Sequence, residues 1–281
     1  MLSVLRGVRS LLSVLLVGLL FMLMSLPLRL VVVPGSFLFP SQRFRLVSLF
    51  MKTIVHGIWT ALRLGGARAR RVGRIPTDEP VLVVANHQSL TDILQLTLLA
   101  TPFTPAFVTR RRYQRYVPLV SASMRLLGCP IVDPRRDPHG SVAAIRRGAR
   151  ELPHGIFIFP EGHRSRDGEV LPFRIAGAET ILSERRVPVY LVVNDGAWRV
   201  GRLSDLLFRV HLIDAYSEVL GPFTPPEDPE ERTAFVRGLR DTLVEALARH
   251  RSGTPPFWLA ITSRRATATS ASAASVALSA L

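Results

Sequence analysis

A mainly parallel α/β sheet flanked by helices, preceded by an N-terminal membrane helix and an amphipathic helix, is the fold this 281-residue sequence predicts. Three observations predict it. Ser10 to Leu28 carries no charged residue. From Val81 onward, short apolar runs alternate with helical patterns, the signature of βαβ units. Two ordered polar clusters, NHQSLTD and PEGHRS, each begin close to the end of such a run. In an open α/β sheet, ligands bind just beyond the carboxyl ends of the strands.

The uncharged stretch comes first. Its nineteen residues would span about 28 Å as a helix, close to the ~30 Å apolar core of a bilayer. Arg6 and Arg9 precede it and Arg29 follows. A signal peptide would have a shorter apolar region and a small-x-small cleavage site, which is not evident here. The expectation is a retained membrane helix, or a re-entrant hairpin turning near Pro27 or Pro34. Arg43, Arg45, Lys52 and Arg63 follow. By the positive-inside tendency they place the rest of the chain in the cytoplasm, although Arg6 and Arg9 pull the other way.

Leu46 to Leu64 reads as an amphipathic helix, with Leu46, Leu49, Phe50, Ile54, Ile58, Ala61 and Leu62 at helical spacing. It suits either a membrane interface or a seat on the domain that follows. Gly65 and Gly66 end it, and arginines 68, 70, 71 and 74 read as a basic linker. The expected strands are Val81–Ala85, Ala106–Thr109, Pro130–Val132, Ile156–Phe159, Val187–Val193 and Phe208–Ile213. The helices between them are Leu90–Ala100, Val117–Leu127, Gly140–Leu152 and Ile175–Glu184. A last helix, Pro225–His250, opens with Glu227, Asp228, Glu230 and Glu231, which complement its dipole. Beyond Gly253 the chain drifts into Thr, Ala and Ser. The expected divisions are 1–66 for membrane anchoring, 67–253 for the α/β domain and 254–281 for a low-complexity tail.

Composition narrows the partners. Net charge is +15 and mean hydropathy is +0.26. That pairing favours anionic lipid surfaces, phosphorylated substrates or an acidic carrier protein. A nucleic-acid binder built on charge alone would leave the two polar clusters without a purpose. Lys52 is the sole lysine, so the arginine excess can reflect nucleotide bias as well as phosphate recognition. One cysteine, Cys129, excludes an intrachain disulfide and a Cys-rich metal site. The scattered histidines show no metal-ligand spacing, and no glycine-rich phosphate loop is present. No metal and no bound cofactor are expected.

The first cluster carries chemistry. On one helix His87 and Asp92 would point about 140° apart. On a strand-to-helix turn, with Asp92 in the first helical turn, they can meet. A carboxylate on one ring nitrogen would set the tautomer and leave the other nitrogen to accept a proton from a hydroxyl. The bland reading is an aspartate that caps the helix beside a turn histidine.

With the second cluster, Phe159, Pro160, Glu161, Gly162, His163, Arg164 and Ser165, the pattern resembles the glycerolipid acyltransferase family. That family carries Asn-His-x4-Asp and, some seventy residues on, Phe-Pro-Glu-Gly-Thr-Arg-Ser. The resemblance covers about residues 81 to 194. It implies that His87 is the general base, that Asp92 orients it, and that Asn86 holds the turn or helps polarise the site. It implies an acceptor-binding role for Glu161, Gly162 and Arg164, with the guanidinium on phosphate. A weaker match at Gly128–Arg136 has Pro134 where the family has arginine, so Arg135 is the substitute candidate. Arg110 stands where the family often has lysine. His163 replaces the family's threonine.

The implied activity is transfer of a fatty acyl group from acyl-CoA or acyl-carrier protein to the sn-2 hydroxyl of 1-acylglycerol 3-phosphate, giving phosphatidic acid. The implied partners are membrane lipid, a lysophospholipid acceptor and the acyl donor, with no nucleic acid. The implied location is the cytoplasmic face of a membrane, such as a bacterial inner membrane. Glycerol 3-phosphate, another lysophospholipid or a lyso-aminolipid stand as alternative acceptors. A thioesterase and a non-catalytic binder of anionic surfaces are the readings outside that chemistry.

Overall fold

The computed structural model describes residues 2–114, 118–200 and 203–253. The expected low-complexity tail lies outside the described residues. Two compact units share the chain, Met1–Leu243 and Val244–Leu281. Of the second, only the end of the last helix, through Gly253, is described.

The first unit opens with α1 (Leu2–Pro27), a π-helical turn at Leu28–Val32 and α2 (Val33–Leu38). Val4–Leu38 forms a 35-residue helical path, long and apolar enough to cross a membrane. The alternative of a reversal near Pro27 or Pro34 is not observed. Pro27 cannot donate to the ladder and crowds the preceding turn, and the wider π turn after it absorbs the misfit. The chain reverses at Phe39–Gln42 instead, and α3 (Arg43–Leu64) runs back along α1. Arg9 donates to the Leu64 carbonyl (3.0 Å) at one end of this pair. Leu20 packs against Gly57 further along, and Leu46 against Gly35 at the other end. One stripe of the helical path, through Ser10, Ser13, Leu28, Val32 and Ser36, is buried. On the other faces Leu12, Leu15, Leu19, Met22, Leu23 and Leu26 are exposed. α3 is amphipathic as expected, with Val47, Ile54, Ile58 and Trp59 turned inward.

The domain behind the hairpin has the strands β1 (Arg68–Val72), β2 (Ile75–Pro76), β3 (Leu82–Ala85), β4 (Ala100–Thr101) and β5 (Ala106–Phe107). It continues with β6 (Thr109–Arg110), β7 (Ile131–Val132), β8 (Ile156–Ile158), β9 (Val189–Asp195) and β10 (Asp214–Phe223). The main sheet runs β1-β10-β9-β3-β8-β5, parallel throughout except that β10 is antiparallel to β9. β3 and β9 are buried along their whole length, as an unbroken valine-rich run requires when both faces are covered. The helices are α4 (Thr91–Leu99), α5 (Pro118–Leu126), α6 (Pro138–Glu151), α7 (Ala176–Glu184), α8 (Leu203–Arg209) and α9 (Pro229–Arg251). Val236, Leu239 and Leu243 of α9 are buried.

Two expectations are corrected. Phe208–Ile213 is no strand: it is the end of α8 followed by a 3-10 turn at Val210–Leu212. A short apolar run has no decisive period, and packing of this segment on α1 decides for helix. The basic linker is likewise an element, the edge strand β1, parallel to β10 with Arg70 opposite Tyr216. The Arg70 guanidinium lies 4.7 Å from the Tyr216 ring centroid. Exposed arginine on an edge strand discourages a further strand from adding there.

Candidate active site

β3 delivers the first cluster to the carboxyl edge of the sheet. Asn86 is fully buried. Its side-chain amide donates to the Asn194 carbonyl (2.9 Å), and its Oδ1 accepts the Asn194 N–H (2.7 Å). The Asn194 amide donates back to the Asn86 carbonyl (2.9 Å), and Ser217 donates to Asn194 Oδ1 (2.6 Å). A contact of Asn86 with substrate is therefore not what the structure supports. Both ends of its amide tie β3 to β9, which is the turn-holding alternative.

His87 follows. Its Nδ1 lies 2.9 Å from Asp92 Oδ2. The same oxygen accepts the N–H groups of Gln88 (2.6 Å) and Ser89 (2.8 Å), and Asp92 is 2% exposed. A carboxylate only accepts, so Nδ1 carries the proton and Nε2 presents its lone pair. Among the described residues Nε2 has no hydrogen-bond partner. The ring stacks on Phe159, with centroids 4.1 Å apart and planes 22° from parallel. The imidazole is thus held by a ring on its face and a carboxylate at its edge, while 16% of its side chain stays open.

The second cluster, after β8, holds the first from behind. Glu161 Oε1 accepts the His87 N–H (3.0 Å), and the His87 carbonyl accepts the Ser165 N–H (2.7 Å). Glu161 is 1% exposed, and its Oε2 has no partner among the described residues. Burial raises its carboxyl to about 8, and the nearby Asp92 adds to this. The His87 and Leu171 amides and the Arg240 charge pull it back part of the way. A neutral buried acid avoids the larger cost of an uncompensated charge. The expected acceptor contact of Glu161 gives way to a grip on the histidine backbone, because the side chain turns inward from the loop.

Around this centre stand the arginines. Gly162 has φ +70, a conformation that favours glycine. A methyl group there would sit 3.4 Å from Nη1 of Arg174. Arg110, half-buried at the end of β6, donates to the Gly162 carbonyl. Burial lowers its pKa, and the charges of Arg112, Arg135 and Arg174 lower it further, with no carboxylate among the charges acting on it. Arg135 is exposed, as is His163. Arg164 carries a buried Nη1 without a hydrogen-bond partner among the described residues. Arg110, Arg112, Arg135 and Arg174 thus gather positive charge around the loop after β8, and guanidinium groups are able to bind a phosphate monoester.

The structure thus unites His87, Asp92 and Glu161, and sets Arg110, Arg135 and Gly162 around one loop. It adds two residues that sequence reasoning missed. Gln88 donates to the Gly168 carbonyl (2.8 Å), tying the histidine turn to the loop after the second cluster. Arg174 joins the basic field. Nothing local marks either one, beyond the place of Gln88 inside its motif. Cys129 is buried with its thiol pushed up to about 12 by burial, which leaves it a poor nucleophile. Among the described residues no three His, Cys, Asp or Glu side chains gather as a metal-ligand set.

Residues 68–193 match the family profile described as Acyltransferase. A chloroplastic 1-acyl-sn-glycerol-3-phosphate acyltransferase of Brassica napus is 32% identical over 126 residues, covering 44% of this chain and 35% of the relative. The 1-acyl-sn-glycerol-3-phosphate acyltransferase of Saccharomyces cerevisiae is 30% identical over 176 residues, covering 60% of this chain and 56% of the relative. The matched regions therefore span between a third and somewhat over half of these two relatives. The crystal structure of a 1-acyl-sn-glycerophosphate acyltransferase from Thermotoga maritima has the same fold. Its TM-score is 0.65 at 23% identity, with 86% of this chain and 98% of that chain covered. The matched stretch carries both clusters and the strands β3 and β8 that bring them to one edge.

Proposed function

We propose that this protein is a membrane-associated O-acyltransferase that acylates the sn-2 hydroxyl of 1-acylglycerol 3-phosphate, giving phosphatidic acid. The observation that carries the reading is the Asp92-bound imidazole close to a loop around which Arg110 and its charged neighbours Arg112, Arg135 and Arg174 gather. In this reading Nε2 of His87 takes the proton of the acceptor hydroxyl as its oxygen attacks the thioester carbonyl. The tetrahedral intermediate collapses with cleavage of the C–S bond. The leaving thiolate takes the proton back from the imidazolium and departs as free thiol. Asp92 stabilises the transient imidazolium without taking its proton. Arg164, Arg110 and Arg174, with Arg135 at the rim, meet the acceptor phosphate. Attack is direct, so no acyl-enzyme forms.

The acyl donor is acyl-CoA or acyl-carrier protein, and the scheme invokes no metal, bound cofactor or nucleic acid. The proposal extends to the division of the chain, with 1–66 anchoring it and 67–253 carrying the chemistry. It places that domain on the cytoplasmic face, as in a bacterial inner membrane, because the basic residues after the apolar helix outnumber those before it.

An acceptor panel tests the reading. The purified full chain is assayed with one long-chain acyl-CoA against 1-acylglycerol 3-phosphate, glycerol 3-phosphate, a zwitterionic lysophospholipid and a lyso-aminolipid. Turnover fastest with 1-acylglycerol 3-phosphate is expected. A clear preference for another acceptor would replace the substrate, and acceptor-independent release of free fatty acid would replace transferase with thioesterase.

A further inference from the structure

The segment after β9 is not used by the chemistry above, and its side chains are unusual for a loop on a globular surface. α8 and the turn that follows bury Val210 and Ile213 against the domain. On the other side Leu207, Phe208 and Leu212 stay 38%, 57% and 40% exposed. They do so although α8 already packs on α1. The seam is defined: Ser10 lies 3.4 Å from His211 Nδ1, and Val210 and Ser13 both crowd Gly65. Next to this seam α1 exposes Leu5, Val8 and Leu12. The two sets of uncovered apolar side chains therefore sit on neighbouring elements. Arg209 is exposed, with Asp205 3.8 Å away on the preceding turn, and Arg199 is exposed beside the half-buried Trp198, its guanidinium 5.1 Å from that ring. Apolar side chains flanked by arginine and tryptophan are what an interfacial helix presents to anionic lipid.

Position gives the face a purpose. α8 lies between the end of β9 and the start of β10. The end of β9 holds Asn194, the partner of Asn86 next to His87. The exposed face of α8 is thus at the same sheet edge as the imidazole.

We infer that α8 and the 210–212 turn form a second lipid-contacting surface, lying in the bilayer interface beside α1 and turning the active-site edge toward the membrane. The inference rests on the proposed membrane seat of α1. The occupant is a bilayer containing anionic lipid. The exposed apolar side chains of α8 continue those of α1, and the cations beside them complement lipid phosphate.

Depth-dependent quenching tests it on the full chain in bilayers of phosphatidylethanolamine and phosphatidylglycerol. Cys129 is buried with its thiol pushed up to about 12, so an environment-sensitive fluorophore can be directed to one introduced cysteine. The variants are Phe208→Cys, with Leu212→Cys as a second probe of the same face, Met22→Cys on α1 and Glu231→Cys on α9. A shallow lipid spin label is expected to quench the label at 208 or 212, at a depth of about 5–10 Å, and a spin label in the acyl chains is expected to quench the label at 22. The label at 231 is expected to stay unquenched. Quenching at 22 but at neither 208 nor 212 overturns the inference and leaves the α1 anchor standing. No quenching at 22 overturns the anchor and the inference with it. A blue shift at 208 without lipid quenching means that protein covers this face, and also overturns it, as does equal quenching at 231.

Discussion

The two loops that meet at the sheet edge are built on opposite principles. The turn after β3 is closed on itself: Asp92 Oδ2 alone meets His87 Nδ1 and the amides of Gln88 and Ser89, and Asn86 is locked to Asn194. The loop after β8 is left open: Arg164 Nη1 and Glu161 Oε2 lack partners among the described residues, and the charges gathered on Arg110 are arginines. A preorganised base must not move, because misplacement costs rate. A binding loop for a phosphate monoester must keep its cations unsatisfied until the anion arrives. On the proposed function, the contrast gives rate to the first loop and affinity to the second.

Substitutions sharpen or break that division. The largest effect is expected at His87. His87→Ala should lower kcat by about 10²–10⁴-fold with the fold intact, while Asp92→Ala should lose activity and also about 1–3 kcal/mol of stability, because two backbone amides lose their acceptor. Steady-state kinetics with a thermal melt checks both. Full activity in His87→Ala would end the base assignment.

Next comes Arg164→Ala, which should raise KM for the acceptor by about 10–100-fold with a smaller change in kcat, in line with a charge-assisted hydrogen bond of about 1.5–3 kcal/mol. A fall confined to kcat would erase the distinction between the loops.

Glu161 belongs to the open loop by sequence and to the closed turn by contact, so its titration discriminates. Its folded value of about 8 lies above the ~4.3 of an unfolded glutamate. Between those values the folded protein keeps a proton that the unfolded chain has lost. Stability should therefore fall as pH rises from about 4 to 8 and level off above that, by an amount on the order of a few kcal/mol. Glu161→Gln should remove that slope, which urea melts across the range would reveal.

The smallest effect is expected at the rim. Arg135→Ala should raise KM only a few-fold, and less at high salt, since exposed charges are screened. A loss as large as that at Arg164 would move the phosphate site outward.

Much of the site was legible because it is local. The five-residue spacing of His87 and Asp92, placed after an apolar run, allowed their pairing beside a helix-capping alternative, and the second cluster decided between them. The FPEGHRS cluster likewise announced a second loop at the same edge. The strand at β1 and the helix at α8 were not legible. An arginine-rich edge strand shows no apolar alternation, and the short run Phe208–Ile213 fits helix and strand alike until α1 is beside it. Glu161 was misplaced for another reason: it is polar, and residue type does not say which way a polar side chain points. Asn86 was read as holding the turn or polarising the site, and only its contacts chose between the two.

From its order of residues alone this chain determined the parallel α/β plan, the apolar N-terminal helix and the imidazole–carboxylate pair. Each depends on neighbours a few positions apart, where backbone geometry leaves little choice. Tertiary structure decided the rest: Arg110, Gly162 and Arg174 come from separate segments, and Glu161 found its partner at His87, 74 residues away. Contacts over such separations follow from how the strands stack, and no local period in the sequence encodes that.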